Sequence, residues 1–317
     1  MKKLGINIFL LVTIYLLICF PLSILYENYF KNNLDLSLKP NWILAKKNQH
    51  FDFAVLGSSR VINLVDVQAI EQKNKNQGIN LGSSGTGLPE TFLLLNQFLK
   101  NGNTIDTLFL EINPNLLNAE MSFSLPFHPY HYFQFIHQLE VAEVYKDCVP
   151  DIKYYLWRYI PMVKYFEYNN FFPIGSFVKG AKQATTSNFD NTDGSELMKG
   201  NKFMGFVKLE EKQLGVVNEI DKKYLLKIIN LAKQVGIPLI GYTAPELKEI
   251  GKYEQGREQV YNEINHIFEG EKIPYHNFAT SFSDTLYFTD YLHLNEKGIN
   301  SFSTIMADSL FAHPILP

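Results

Sequence analysis

Cysteine is nearly absent from this 317-residue chain, which has only two. Cys19 lies in a long apolar stretch and Cys148 in the body of the chain, so they cannot pair with each other. No disulfide framework and no cysteine-based metal site is available. Stability must come from a buried core, for which 46% hydrophobic and 14% aromatic residues provide ample material. An excess of charge is also missing. Twenty-nine basic and 32 acidic residues give a formal net charge of −3, and there is no basic stripe or nucleic-acid motif, which argues against a polyanion partner. Nucleotide-binding glycine patterns are lacking too. Gly85-Thr86-Gly87 hints at a phosphate loop, but neither Gly-x-Gly-x-x-Gly nor Gly-Lys-Ser/Thr occurs there. His128, His131 and His137 have no spaced carboxylate or cysteine beside them and read as structural residues. No metal and no cofactor is expected.

What is present begins at the N-terminus. Lys2-Lys3 precedes an uncharged, mostly apolar stretch from Leu4 to Tyr26, ended by Glu27. At about 1.5 Å per residue it reaches about 34 Å, enough to cross a bilayer core. A cleaved signal peptide would be shorter and followed by a small-x-small site, and Ile18 and Phe20 are wrong neighbours for a lipoprotein cysteine at Cys19. Residues 1–27 therefore read as an uncleaved transmembrane anchor, with Pro21 near its outer end. The paired lysines favour a cytoplasmic N-terminus and an exported, extracytoplasmic remainder. Residues 28–50 read as a polar connector, and 51–317 as the main domain.

That domain alternates between two periodicities. Phe51–Leu56, Ile79–Leu81, Thr107–Ile112, Ile237–Tyr242 and Ile273–Phe278 are short apolar strand patterns. Residues 60–72, 89–100, 221–235, 247–269 and 296–311 carry helical spacing. Strands alternating with helices predict an α/β fold with a parallel sheet covered on both faces, whose ligands bind at the carboxyl ends of the strands. Gly57, Gly82–Gly85, Asn113–Asn115 and Thr243 all fall at such ends. An interruption at about 118–220 breaks the alternation. Residues 123–177 hold 17 aromatics, which predicts a helical insertion with its own aromatic core, or a cap that meets lipid or a membrane partner. Residues 179–202 turn polar and read as a mobile surface loop.

Two stretches carry chemistry. Gly57-Ser58-Ser59-Arg60 follows the first strand and opens a helical pattern, the place where a nucleophile is presented. Asp290-Tyr291-Leu292-His293 follows the last strand. A general-base histidine needs a carboxylate on its far nitrogen, and an Asp three residues earlier can supply it from one short loop. Ser83 and Ser84 are rival nucleophiles without the strand-to-helix setting. Glu111, ending the third strand, reads as structural. Arg60 is a candidate for binding an anionic substrate group or for capping local carbonyls.

With these residues in place, the chain resembles the SGNH (GDSL-type) hydrolase superfamily, and in particular its membrane-anchored acyltransferase and esterase members, such as those of teichoic-acid D-alanylation and polysaccharide O-acetylation. The resemblance implies a flavodoxin-like three-layer sandwich, with Ser59 as nucleophile and Asp290 and His293 as its partners. An oxyanion hole would come from the Ser59 and Gly85 backbones and from Asn115 or Asn113. Ser58 stands where relatives usually have Asp, and the third block lacks its glycine. The implied function is a serine esterase or acyltransferase acting on acyl esters of a cell-envelope glycan, teichoic-type polymer or lipid-linked substrate, with a membrane-embedded acyl-transfer protein as partner. A non-catalytic envelope protein that keeps the fold and binds a glycan or partner is the alternative.

Overall fold

The structure is a computed structural model that describes residues 2–117, 127–179, 186–198, 200, 202–204, 211–214 and 217–311. Two compact units emerge. Residues 42–127 and 187–317 form one, and residues 1–41 with 128–186 form the other.

The larger unit is built on strands β1 (His50–Leu56), β2 (Gly78–Asn80), β3 (Thr104–Glu111), β5 (Leu239–Thr243) and β7 (Tyr275–Asn277). They form one sheet in the order β2-β1-β3-β5-β7, and every pairing is parallel. Two-residue strands β4 (Lys212–Gln213) and β6 (Glu254–Gln255) pair separately. Counted within the main sheet the order is 2-1-3-4-5, that of flavodoxin-like folds. The apolar runs explain it. Phe53, Val55, Leu108, Phe109 and Leu110 are fully buried, as strands covered on both faces must be. Connecting helices are α3 (Ser59–Leu64), α4 (Val67–Asn74), α5 (Leu88–Lys100), α10 (Glu219–Gln234), α11 (Arg257–Gly270) and α12 (Glu296–Phe311).

The expected helix over 60–72 is two helices. Asp66 accepts a hydrogen bond from the Ala69 N–H and starts α4 afresh. The expected helix over 247–269 also divides, into a 3-10 turn at Lys248–Lys252, strand β6 and α11. Gly256, with φ +84°, provides the left-handed turn that separates the last two. Of the expected mobile loop, residues 186–198 are packed rather than free. The Asp193 carbonyl accepts from the Asn80 N–H at 2.8 Å, and the Glu196 N–H donates to the Ile62 carbonyl at 2.8 Å. Buried Ser195 donates to the Val65 carbonyl at 2.8 Å. Residues 180–185, 199 and 201 of that expected loop lie outside the described residues, as do 118–126, 205–210 and 215–216 of the expected insertion.

The smaller unit starts with α1 (Lys2–Asn32), which is long and apolar enough to span a bilayer, with none of its apolar window buried. About half of the expected connector 28–50 is helical. Helix α1 runs on to Asn32, and α2 (Lys39–Ala45) crosses the boundary at 41/42, with Trp42, Ile43 and Leu44 buried in the larger unit. Beside α1 stand α6 (Leu139–Cys148), α7 (Asp151–Tyr159), α8 (Val163–Glu167) and α9 (Ile174–Lys179). Their core is aromatic. The Phe133 ring meets Tyr145, Trp157, Tyr165 and Phe172, and Tyr26 of α1 meets Tyr165. The aromatic helices thus group with the N-terminal helix over 128–186, and residues 187–220 belong to the sheet unit. Polar 187–198 has few large apolar groups to bury and pairs with the sheet unit's loops.

Candidate active site

The carboxyl ends of β1 and β3 flank the point where the strand order reverses, the position at which this topology binds ligands. The Gly57 turn there is tight. A Cβ on Gly57 would sit 2.7 Å from Val61 Cγ2 and 3.0 Å from Glu111 Cβ, at φ +156°. Only glycine lets β1 end flush against β3 and turn at once into α3. Ser58 is the N-cap of α3, its Oγ accepting from the Arg60 N–H at 3.4 Å. Asp and Ser serve almost equally as caps, so a serine at 58 fills this position as an Asp would. Ser59 follows as the first helical residue, half-buried rather than sealed.

The loop after β2 is hung on this turn. The Ser83 N–H donates to the Gly57 carbonyl at 3.1 Å. Gly82 lies so close that a Cβ there would stand 2.7 Å from the Ile62 nitrogen. Fully buried Asn80 donates to the Val61 carbonyl at 2.9 Å and accepts from the Gly82 N–H at 2.9 Å. Gly85 lies three residues on, exposed, with φ +70°. Ser83 itself is buried with its backbone N–H committed, and His293 is hydrogen-bonded to Ser59 instead.

His293 comes from the loop between β7 and α12. The loop is pinned from both sides by buried Asn295, whose amide donates to the Leu286 carbonyl at 2.8 Å and accepts from the Gly298 N–H at 3.0 Å. Within it, Asp290 Oδ1 accepts the Leu292 and His293 N–H groups at 2.8 Å each. Asp290 Oδ2 lies 2.9 Å from His293 Nδ1. His293 Nε2 lies 3.4 Å from Ser59 Oγ across 234 residues of sequence. Burial alone would push the Asp290 carboxyl up. The hydrogen bond and charge of His293, with the two backbone N–H donors, hold it below its ordinary value. The sequence-predicted residues Ser59, His293 and Asp290 are therefore joined into one hydrogen-bonded line. That arrangement can take a proton from a serine hydroxyl and stabilise the resulting imidazolium.

The two asparagine candidates separate by their partners. Asn113 is buried and spent: its amide donates to both carboxylate oxygens of Glu111, at 3.1 and 3.2 Å, and its oxygen accepts the Asn115 N–H at 3.0 Å. It caps the 3-10 turn Pro114–Leu116. Asn115 is half-buried, and its side-chain oxygen, unlike that of Asn113, has no hydrogen-bond partner among the described residues.

Arg60 does not face a substrate. It is 3% exposed. Its guanidinium donates to Glu246 Oε2 at 3.3 Å, to the Pro245 carbonyl at 3.1 Å and to the Ala244 carbonyl, and its Nε lies 3.6 Å from Glu111. The expected anion-binding role is corrected by this burial, and the carbonyl-capping role is what the chain uses. Sequence reading missed the rest of the network. Glu246 also takes bonds from Arg257 at 2.5 Å and from the Tyr261 hydroxyl at 2.6 Å, and Arg257 donates to Glu254 as well. Burial pushes the Glu111 carboxyl up, against the pull of Arg60 and Asn113. No short motif marks these partners, because Arg60 and Glu246 stand 186 residues apart.

Among the described residues, His128, His131 and His137 are not brought together as a group of possible metal ligands. Buried His131 faces the Asn41 side-chain oxygen at 3.2 Å, and burial, with His128 nearby, lowers its pKa to about 3. Among the described residues, one group of possible ligands lies within reach of a shared ion: His50, Asp52 and Asp106. These occupy the amino-terminal halves of β1 and β3, at the far end of the strands from Ser59.

No known family model matches the chain, and no curated protein does. Among solved structures, it is similar to one from Bacteroides fragilis provisionally described as an acylhydrolase, at 10% identity and TM-score 0.41, over 88% of this chain and 96% of that one. It is also similar to a GDSL-like lipase from Bacteroides thetaiotaomicron, at 10% identity and TM-score 0.39, over 90% and 97%. A third, from Streptococcus pneumonia and provisionally described as a platelet activating factor, gives 13% identity and TM-score 0.40 over 96% and 99%.

Proposed function

We propose that this chain is a membrane-anchored, extracytoplasmic SGNH-type serine esterase or acyltransferase, acting on acyl esters of a cell-envelope glycan or teichoic-type polymer. The observation that carries the reading is the unbroken line from Asp290 through His293 to Ser59 Oγ. Its 3.4 Å outer link falls in the looser range usual before substrate binds.

In this mechanism Ser59 Oγ bonds to the acyl carbonyl carbon while its proton passes to His293 Nε2. Asp290 holds the ring by Nδ1 and balances the imidazolium. The Ser59 and Gly85 N–H groups and the Asn115 amide receive the charge that develops on the carbonyl oxygen. Collapse breaks the ester bond, and the alcohol leaves with the proton from His293. Water or a sugar hydroxyl then reverses the sequence on the acyl-serine, giving hydrolysis or transfer. The apolar α1 and the resemblance to membrane-tethered members support an envelope substrate; transfer would draw its acyl group from a membrane-embedded partner.

A fluorophosphonate probe on the full chain tests this. Labelling is expected in the parent and lost in Ser59→Ala. An unlabelled but folded parent refutes the enzyme reading and favours a glycan- or partner-binding protein. Aryl-acetate turnover with and without added oligosaccharide then divides esterase from transferase.

A further inference from the structure

Helix α7 presents its surface the wrong way round for a helix in water. Tyr154 and Trp157 are buried, while Ile152, Tyr155, Leu156, Tyr159 and Ile160 are 72, 50, 41, 63 and 38% exposed. Those five occupy positions i, i+3, i+4, i+7 and i+8, one continuous stripe. A soluble surface helix turns such a stripe inward.

The place of this stripe along α1 says what covers it. Directly after α7, the Pro161 carbonyl accepts a hydrogen bond from the Tyr15 hydroxyl at 2.5 Å. Tyr26 and Tyr29 donate in the same way to the carbonyls of Phe172 and Ser176, so segment 161–176 rises alongside α1 in a fixed register. Tyr15 precedes Glu27, the first charged residue after the span, by about 18 Å of helix. The corner between α7 and α8 therefore sits near the middle of the apolar span. Near the corner, Arg158 donates to the Tyr154 hydroxyl one turn back at 2.7 Å and buried Lys164 pairs with Glu27 at 3.6 Å, so both cations reach away from it. Lys153 pairs with Glu167 at 2.6 Å, and the Trp157 indole donates to the same carboxylate at 2.7 Å. Backbone carbonyls within hydrocarbon need a donor, and Tyr15 gives Pro161 one.

We propose that the α7–α8 hairpin is a re-entrant membrane element, inserted corner first into the leaflet on the Glu27 side, with the Ile152–Ile160 stripe facing lipid acyl chains. It rests on α1 being the membrane segment and is independent of the serine chemistry. The hairpin is about one leaflet deep, since nine helical residues span about 13 Å.

The test uses the full chain in vesicles of phosphatidylethanolamine and phosphatidylglycerol. Single cysteines replace Tyr159, Tyr155, Leu17 or Asn230 in a Cys19→Ala/Cys148→Ala background, carry an environment-sensitive fluorophore, and are checked for folding by thermal melting. Labels at 159, 155 and 17 are expected to lose emission to doxyl-lipid and to ignore iodide, with the reverse at exposed Asn230. Iodide quenching at 159 and 155 with lipid quenching at 17 overturns the proposal and leaves the anchor standing. Shielding of 159 and 155 from both quenchers also overturns it, in favour of a second copy or another protein. Iodide quenching at 17 removes the anchor reading and the proposal together. The fluorophosphonate result is read separately and changes none of these outcomes.

Discussion

Asp290 holds His293 twice, by the backbone N–H at 2.8 Å and by ring Nδ1 at 2.9 Å. One carboxylate thus shapes the turn and orients the ring. Asp290→Asn keeps the turn's acceptor but presents an amide that favours the wrong tautomer. Ester turnover is expected to fall about 10³–10⁴-fold with little change in melting temperature. Asp290→Ala is expected to lose the turn as well, and the melting temperature with it. Equal thermal losses in both variants would contradict the double role.

The lowered pKa of Asp290 has a definite sign. Its folded value lies below its unfolded one, so the stability it contributes is present above the unfolded value and disappears as pH falls through the folded one. Acid titration of thermal stability should show this loss in the parent and not in Asp290→Asn.

Asp221 gives the opposite slope. Burial raises its carboxyl from 3.8 to about 7, so its proton is bound more tightly in the folded state. The associated stability is complete below the unfolded value and declines as pH rises towards 7. Asp221→Asn is expected to flatten stability over that window and to stabilise the protein above it by up to about 4 kcal/mol. Denaturant midpoints at pH 4 and pH 8 check this.

Asn113 and Asn115 should part cleanly. Asn115→Ala is expected to lower turnover by about 10²–10³-fold with the melting temperature kept, as loss of one oxyanion donor does. Asn113→Ala strips Glu111 of its amide partner and the Pro114–Leu116 turn of its cap, so it is expected to lower the melting temperature. The reverse pattern would exchange their roles.

Arg60→Met leaves Glu111 without a guanidinium neighbour and Glu246 short of one partner. Breaking a buried pair in this way costs about 3–5 kcal/mol. Unfolding midpoints should show the loss. Turnover that falls without a selective rise in KM for anionic substrates separates this scaffold role from substrate binding.

Much of this was legible in the sequence because its physics is local. The apolar runs of β1 and β3 and the helical spacing of α5, α10 and α12 depend on neighbours a few residues away. The Asp290–His293 pair spans one turn, and the uncharged stretch from Leu4 to Tyr26 needs no partner to be read. The parallel order itself is not a local property. It follows from which apolar faces cover one another, and alternating strands and helices narrow that choice to a few arrangements.

The amino-acid sequence by itself determined the strand-to-helix turn at Gly57–Ser59, the Asp290–His293 loop and the apolar N-terminal helix. Tertiary structure alone decided that His293 reaches Ser59, that Arg60 is sealed against Glu246, and that the aromatic helices pack on α1 with α7 turned outward. Each of those outcomes depends on which distant group desolvates or satisfies a side chain. Contacts across 146 to 234 residues leave no periodicity in the chain to read.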